Sequence, residues 1–338
     1  MATIARFSRK VFSGIQPTGV PHLGNYFGAI TQWTALQEEV ETKCLYSVVD
    51  LHSVTVPHYD PKALQEKIEV TTASLLACGV RSDTLFLQSM VPEHGQLCWL
   101  FNCISTMNKM YHFPQFKEKS QGMRETPLGL YLYPILQSAD VLLYKGTHVP
   151  VGQDQLPHIH LINDIAHTFN KRFGKNIFPK CKPILDIKSS RLRDLRYPDK
   201  KMSKSADPKG KIDLNESPDN IRSKIKKSMT DCQSEITFEP ETRPGVSNLV
   251  LIHSLCSGKS TAEIVASAKG IDTGQYKEAV AIAVIERLTP IRARMNELLQ
   301  NRSYLWQLLK TNSEALRPEA QSTLEEARIA MGMMRSTS

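Results

Sequence analysis

No stretch of this 338-residue chain approaches the roughly 18 consecutive apolar residues that a membrane-crossing helix needs, so no membrane partner is expected. Nor is there a Cys-x-x-Cys pair. The seven cysteines (Cys44, Cys78, Cys98, Cys103, Cys181, Cys232 and Cys256) are odd in number and irregular in spacing, which argues against a zinc knuckle and a disulfide framework alike. Reduced, mostly buried thiols inside a cell are expected instead. His158-Ile159-His160 is no better as a metal site, because on a helix the two rings point to different faces. No Gly-x-Gly-x-x-Gly occurs, so a dinucleotide fold is not indicated. Internal repeats and low-complexity tracts are also missing. Acidic residues are absent before Glu38, while Arg6, Arg9 and Lys10 precede it. Such a start has the composition of an organellar transit peptide, although a first strand near Lys10 leaves little room for a cleaved segment. The expected compartment is the mitochondrial matrix, with the cytoplasm as the alternative.

What the chain does have is an ordinary globular balance, 41% hydrophobic and 22% charged residues, and a net charge of +8. The length suits one large domain or two moderate ones. Between Lys171 and Lys204 lie twelve Lys or Arg against Asp186, Asp194 and Asp199. Read alone, that is a solvated face; a polyanionic partner is the sharper reading.

The N-terminal half alternates β-rich runs with helical patterns, the mark of a parallel sheet with crossover helices. Strands are expected at Lys10–Ile15, Cys44–Val49, Thr84–Leu87 and Val149–Val151. Helices are expected at about Asn25–Val40, from Asp60-Pro61 to Cys78, and near Glu93–Thr106, Leu128–Leu142 and Asp154–Phe173. Past Ser217 helical segments dominate, most clearly Tyr276–Leu288 and Glu314–Met331. The fold class is therefore α/β: a doubly wound parallel-sheet domain, a basic loop region near 186–212, and a smaller helical C-terminal domain.

Two segments carry chemistry. The first strand runs into Ser13-Gly14-Ile15-Gln16-Pro17-Thr18-Gly19-Val20-Pro21-His22-Leu23-Gly24-Asn25. A strand feeding a glycine turn and then a helix start is a device for holding phosphates, since free N–H groups and the helix dipole face the anion. It is not a P-loop, because Val20-Pro21 stand where Lys-Ser/Thr belong. Gly258-Lys259-Ser260 fails too, having His253 in place of the first glycine. The second segment is Lys201-Met202-Ser203-Lys204-Ser205, closing the basic run. Two lysines three apart in a loop can neutralise charge developing on a departing pyrophosphate.

Together these segments resemble the HIGH and KMSKS signatures of class I aminoacyl-tRNA synthetases, whose catalytic domain is Rossmann-like. Phe12 to Gly19, Val49-Asp50-Leu51-His52, Gln115 to Ser120, Tyr133-Pro134 with Ala139-Asp140, and Val149 to Gln155 are similar to the tryptophanyl-tRNA synthetases of the bacterial and mitochondrial type. The matches run in family order from residue 10 to about 250. The resemblance implies a catalytic domain over 1–215, with a connecting segment at about 109–126 and the signature loop at 201–205, and a helical anticodon-binding domain over 216–338. It implies an ATP site at Gln16, Pro17, Thr18, His22, Gly24 and Asn25, with Gly152, Gln153, Asp154 and Leu192 at the adenosine. Lys201, Met202, Ser203, Lys204 and Ser205 would hold the triphosphate, and Lys119 would reach it from the connecting segment. Lys201, Lys204 and Lys119 are the implied catalytic residues. Asp140 would accept the indole N–H of tryptophan, Tyr133 and Gln155 would flank its amine, and Phe12, His52 and Val151 would shape the pocket. An indole N–H is only a donor, so a buried carboxylate is an apt reader; by residue type alone Asp140 could equally cap a helix or pair with a lysine. The implied co-substrate is ATP with its Mg²⁺, no metal is held tightly by the protein, and the implied partners are L-tryptophan, tRNA(Trp) and a second copy of the chain.

The chain departs from the family's pattern in two places. Gln153 stands where Glu is usual, removing a charge beside the adenosine, and Asn25 replaces the second histidine of the generic signature. Three alternatives stay open: a tyrosyl-tRNA synthetase of the same fold, a small-molecule adenylyltransferase of the HIGH superfamily, and an inactive RNA-binding paralogue. Gln16-Pro17-Thr18 weighs against the first, the complete lysine loop against the second, and Lys201 with Lys204 against the third.

Overall fold

A computed structural model describes residues 9–55, 60–111, 113, 125–185, 192–203 and 207–335. Five parallel strands, β1 (Arg9–Ile15), β2 (Thr42–Val48), β3 (Leu85–Leu87), β4 (His148–Val151) and β5 (Lys182–Leu185), form one sheet in the order β3-β2-β1-β4-β5. The helices used below are α1 (residues 23–36, whose second turn Tyr26–Ile30 is π-helical), α2 (Pro61–Ala77), α3 (Glu93–Asn102), α4 (Leu128–Leu142) and α5 (Leu156–Phe173). They continue as α6 (Pro218–Lys226), α7 (Pro244–Ser257), α8 (Thr273–Gln300) and α9 (Arg302–Ala330).

Side chains alternate across a strand, so each strand feeds two cores. Val11, Cys44, Tyr46, Val48, Leu85 and Leu87 face one layer, joined by Leu23, Ile30 and Trp33 of α1 and by residues of α7 and α8. Phe12, Leu45, Phe86 and Val149 face the other, built from α3, α4 and α5. Burial on both faces explains why the strands read as nearly continuous apolar runs.

The elements differ from the expected ones in instructive ways. Helix α1 stops at Leu36 rather than Val40, because Gln37 turns inward and bridges the Gly79 carbonyl (2.9 Å) and the Arg81 N–H (3.0 Å). Helix α3 ends at Asn102, short of Thr106. Strand β5 has no counterpart among the expected strands, for Pro183 interrupts a four-residue run that works only as a sheet edge. Helices α8 and α9 run straight through Pro290 and Pro318, which punctuate the sequence pattern without ending the helix.

The last helix returns to the sheet. β3 is an edge strand, and its outward backbone groups are taken by α9: Asn312 donates to the Leu85 carbonyl (2.7 Å), and Ser313 Oγ accepts from the Leu87 N–H (3.2 Å). Edge strands left bare invite foreign pairing, so this contact closes the sheet. Further along α9, Ala320, Leu324 and Ala327 enter the second core. Just before them Glu319 receives Lys10 of β1 (2.6 Å) and Lys43 of β2.

Burial pushes the Glu319 carboxyl up, but the hydrogen bonds from Lys10 and Lys43 outweigh it and hold the group below its ordinary value. Its folded pKa is thus depressed, so the stabilisation is present above the unfolded value of about 4.3 and disappears as pH falls through the folded one. Glu319→Gln should cost about 1–3 kcal/mol near pH 7, since two part-buried ammonium groups lose their partner. Urea unfolding of both proteins should show that gap steady from pH 8 to 5 and shrinking as pH falls below about 4.3; a gap that widened on acidification would contradict this account.

Candidate functional site

The chain moves from β1 outward to β2 and β3, then crosses back to β4 on the other side of β1. The order reverses between β1 and β4, and ligands of open α/β sheets bind at the carboxyl ends of the strands at such a point. The exits of those two strands are the segments beginning at Gln16 and at Gly152.

At the β1 exit, Thr18 N–H bonds the Gln16 carbonyl (2.8 Å) and Gly19 takes φ +98°, a conformation favouring glycine, while Thr71 Oγ1 holds the Gly19 carbonyl (3.3 Å). Pro17 is buried, and Gln16 and Thr18 are exposed. His22 then caps α1: its Nδ1 accepts from Gly24 N–H (3.0 Å), and Asn25 Oδ1 accepts in return from His22 N–H (3.2 Å). With Nδ1 accepting, the proton of a neutral His22 ring sits on Nε2.

The second signature segment is folded onto this turn. Residues 192–195 pair with 200–202 and then with Gly210, through Asp194 N–H to Lys200 O (2.9 Å), Met202 N–H to Leu192 O (2.9 Å) and Leu195 N–H to Gly210 O (2.8 Å). Asn248 of α7 fixes the clip by bonding both backbone groups of Arg193 (2.9 and 3.0 Å). The buried Asp194 carboxylate accepts from the N–H groups of Arg196 (2.7 Å) and Tyr197 (3.0 Å), and Gly210 passes so close that any Cβ there would strike it. The chain leaving the clip then pairs with the turn before α1, Leu23 N–H to Ile212 O (2.9 Å) and Leu214 N–H to Pro21 O (3.0 Å). Met202 and Leu192 are buried in the first core, whereas Lys201 is exposed and Ser203 half-buried. Lys204, Ser205 and Lys119 lie outside the described residues, as does most of the connecting segment.

Below the β2 and β3 exits lies a second polar cluster. Asp140 of α4 is 1% exposed. Its Oδ1 meets Gln88 Nε2 (2.7 Å) and His94 Nδ1 (2.7 Å), and its Oδ2 meets His52 Nε2 (2.8 Å). His94 Nε2 continues to the Tyr144 hydroxyl (3.0 Å). Burial alone would push the Asp140 carboxyl up, but hydrogen bonds from His52 and His94 hold it well below the usual carboxylate range. Burial, and then the Asp140 charge, keeps the Tyr144 phenol protonated far above its normal value.

Of the remaining expected residues, Phe12 and Tyr133 contact the Asp140 cluster, and those from the end of β4 onward contact one another or the second core. Phe12 stacks on Tyr144 (6.0 Å between ring centroids), and Tyr133 meets the His52 ring edge-on (6.3 Å) while its hydroxyl bonds His158 Nε2 (3.3 Å). Val151 packs on the second core. Gln155 donates to Asp154 (2.9 Å), and Gly152 leaves room for the Asp154 carboxylate, which a Cβ would approach to 2.6 Å; Gln153 is exposed. No group of three or more His, Cys, Asp or Glu side chains among the described residues is placed to hold a metal ion.

Gln88, His94 and Tyr144 escape a reading of the sequence alone. Periodicity says which face is buried, not which buried polar side chain serves a site. The one usable signal is position: Gln88 follows the last residue of β3, at the carboxyl edge where ligands bind.

Comparison with known proteins agrees with this geometry. Residues 7–289 match the family described as tRNA synthetases class I (W and Y). The chain is 40% identical, over 96% of its length and 99% of the relative's, to the tryptophan--tRNA ligase of Caldanaerobacter subterraneus. It is also 40% identical, over 96% of its length and 91% of the relative's, to the mitochondrial tryptophan--tRNA ligase of Caenorhabditis elegans. The tryptophanyl-tRNA synthetase of Campylobacter jejuni complexed with ADP and tryptophan superposes with a TM-score of 0.82 at 27% identity, covering 96% of this chain and 99% of that one.

Gly24 is where cap and clip meet: a Cβ there would stand 2.9 Å from the His22 ring and 3.6 Å from the Met202 carbonyl. Gly24→Ala should therefore displace the cap and cost about 1–3 kcal/mol, as overpacking does. Hydrogen exchange should quicken at Leu23 and Met202 N–H together; unchanged exchange at Met202 would mean the two segments are not coupled.

Proposed function

Because the chain belongs to the class I tRNA synthetases of the W and Y type, we propose that it activates L-tryptophan with ATP and transfers it to tRNA(Trp). The observation that carries this reading is the joining of two signature segments, distant in sequence, at the switch point of the sheet. Leu23 and Pro21 pair with Ile212 and Leu214, and Gly24 lies against Met202. A tryptophan specificity is supported by the relatives at 40% identity over almost the whole chain.

In the proposed first step a carboxylate oxygen of tryptophan attacks the α-phosphorus of MgATP. The bond to the bridging oxygen breaks, and pyrophosphate leaves. Gln16, Pro17, Thr18, His22, Gly24 and Asn25 form the phosphate side of the site, and Gly152, Gln153, Asp154 and Leu192 the adenosine side. The buried Leu192 side chain and its bonded carbonyl leave the backbone N–H as its contribution. Lys201, Lys204 and Lys119 neutralise the leaving charge, with Met202, Ser203 and Ser205 shaping the loop. In the second step the terminal ribose hydroxyl of tRNA attacks the acyl carbon and AMP departs. Positioning and charge stabilisation supply the rate, without a dedicated base. Asp140 accepts the indole N–H, and Tyr133, Gln155, His52, Phe12 and Val151 enclose the amino acid.

The region 216–338 takes the anticodon arm in this proposal. Clefts flank α6: one is lined by Arg222, Lys226 and Lys277 with Asp231 and Glu278, the other by Lys224 and Lys227 with Glu216 and, from the preceding region, Arg196 and Lys209. Cations outnumber acids in both, which suits phosphodiesters. A second copy of the chain completes the enzyme; Trp99, Met107, Tyr111 and Leu128, exposed on successive helices, support an apolar contact between copies. The mitochondrial matrix belongs to the proposal too. Its support is the acid-free start and the nematode mitochondrial relative, set against equally similar bacterial ones. No helix among the described residues is long and apolar enough to cross a membrane.

Pyrophosphate exchange tested with each amino acid should respond to tryptophan alone, and exchange driven by tyrosine would replace this reading. Lys201→Ala should slow adenylate formation about 10²–10³-fold while tryptophan binding changes little, the cost typical of losing one charge-stabilising contact. Presteady-state rates equal to wild type would remove Lys201 from the chemistry.

Binding of tRNA should weaken steeply with salt, and the log–log slope should fall by about one for each lysine removed from a phosphate contact, for instance by Lys209→Ala or Lys227→Ala. ATP affinity should show neither effect. A slope untouched in both variants would make the α6 clefts ordinary solvated surface.

A further inference from the structure

An ionised carboxylate offers about four acceptor positions, two on each oxygen. On Asp140, Oδ1 has both positions filled, by Gln88 Nε2 and His94 Nδ1, each at 2.7 Å. Oδ2 has one filled, by His52 Nε2 at 2.8 Å. Among the described residues the remaining acceptor position therefore lies on Oδ2. We infer that Gln88 and His94 are positioning residues for amino-acid specificity: by saturating Oδ1 they hold the carboxylate so that the open position of Oδ2 meets the ring N–H of the substrate. This rests on the proposed reading that Asp140 accepts the indole N–H.

Both residues are locked in ways that a general need for donors does not demand. Gln88 Oε1 accepts from Leu51 N–H (3.1 Å), so its amide cannot flip without losing that bond and aims Nε2 at Asp140. Leu51 precedes His52, so one residue sets both the Oδ1 donor and the segment carrying the Oδ2 donor. His94 is gripped at its far nitrogen by the Tyr144 hydroxyl, and its ring stacks on Phe86 (6.0 Å, 25°). Gln88, His94 and Tyr144 are all 0% exposed. The polar atoms of Gln88 and His94 are committed to Asp140, Leu51 and Tyr144, so they act through Asp140.

Without either donor, Oδ1 would keep an unfilled position and the carboxylate could rotate about Cβ–Cγ. Its charge would also be less compensated in a site with no water to spare. A carboxyl that took up a proton would turn a donor toward the indole donor, and recognition of the N–H would fail. Binding of ATP, governed at the other strand exits, would not change.

The test compares tryptophan with its benzothiophene isostere, in which sulfur replaces the ring N–H, in pyrophosphate exchange. The proteins are wild type, His94→Phe, His94→Asn and Gln88→Met, each with its melting temperature. For His94→Phe and Gln88→Met, kcat/KM for tryptophan should fall about 10- to 100-fold, the range for losing one charge-assisted hydrogen bond. The isostere should be essentially unaffected. His94→Asn, whose amide N–H reaches about where Nδ1 stood, should recover most of the loss. Equal losses for both substrates in variants that melt like wild type would overturn the inference and make the residues merely structural. If His94→Phe does not fold, Gln88→Met and His94→Asn carry the same comparison. A wild-type enzyme that failed to prefer tryptophan over the isostere would instead overturn the Asp140 reading itself, so the two failures are distinguishable.

Discussion

Taking the Asp140 carboxylate out of water costs several kcal/mol unless donors replace the lost hydration. Here the donors come from three different parts of the fold: His52 after β2, Gln88 after β3 and His94 on α3, with Tyr144 behind it. For these groups to converge, β2 and β3 must end at matching heights and α4 must lie across their exits. The parallel register Tyr46↔Leu85 to Val48↔Leu87 supplies the first condition, and packing of α4 on α3 and α5 the second. A one-residue slip in β3 would carry Gln88 to the opposite face, leaving the charge short of a donor. The buried anion thus ties the register of the sheet to the chemistry of the pocket.

The turn between β1 and α1 obeys a different constraint, close approach of backbones. His22 as cap, Gly24 beside it, Gly210 beneath Asp194 and Met202 in the core form a chain of contacts with no room for larger residues at the glycines. Anchoring Met202 while leaving Lys201 exposed separates two duties within neighbouring residues: one holds the loop to the fold and the other presents charge. In the proposed reaction that arrangement would hold positive charge ready for the departing pyrophosphate.

Much of this was legible in the sequence, for identifiable reasons. β1 to β4 announce themselves because both faces are buried, so they read as β-rich, largely apolar runs between helical patterns. The turn at Gln16 and the lysines of the loop are legible because backbone geometry and charge are written in residue type. The role of His22 as a reciprocal cap with Asn25 was not, since a histidine cap has the same letters as a histidine ligand. β5 was hidden by Pro183 and the far half of α8 by Pro290, while α9, expected from Glu314 across Pro318, begins about three turns earlier at Arg302. Gln88 and His94 were hidden more deeply. Nothing local marks a polar residue as buried; only the three-dimensional meeting with Asp140 does.

The final helix shows why the C-terminal segment matters to a pocket it never enters. α9 is fastened to residues immediately beside the Asp140 network: Arg317 pairs with Glu93, next to His94, and Glu326 pairs with Lys145, next to Tyr144. Lys145 sits at φ +51°, a conformation that costs a non-glycine residue free energy, and it forms the turn that ends α4. The Glu326 pair is half-exposed and contributes little stability by itself. Its position matters more than its energy, because Tyr144 can meet His94 only if that turn is held. The same helix caps the edge of β3 just before Gln88, through Asn312 and Ser313. One element thus borders Gln88, His94 and Tyr144, the groups that hold the buried Asp140 carboxylate, so the geometry of the proposed amino-acid site depends on a helix that begins after residue 300.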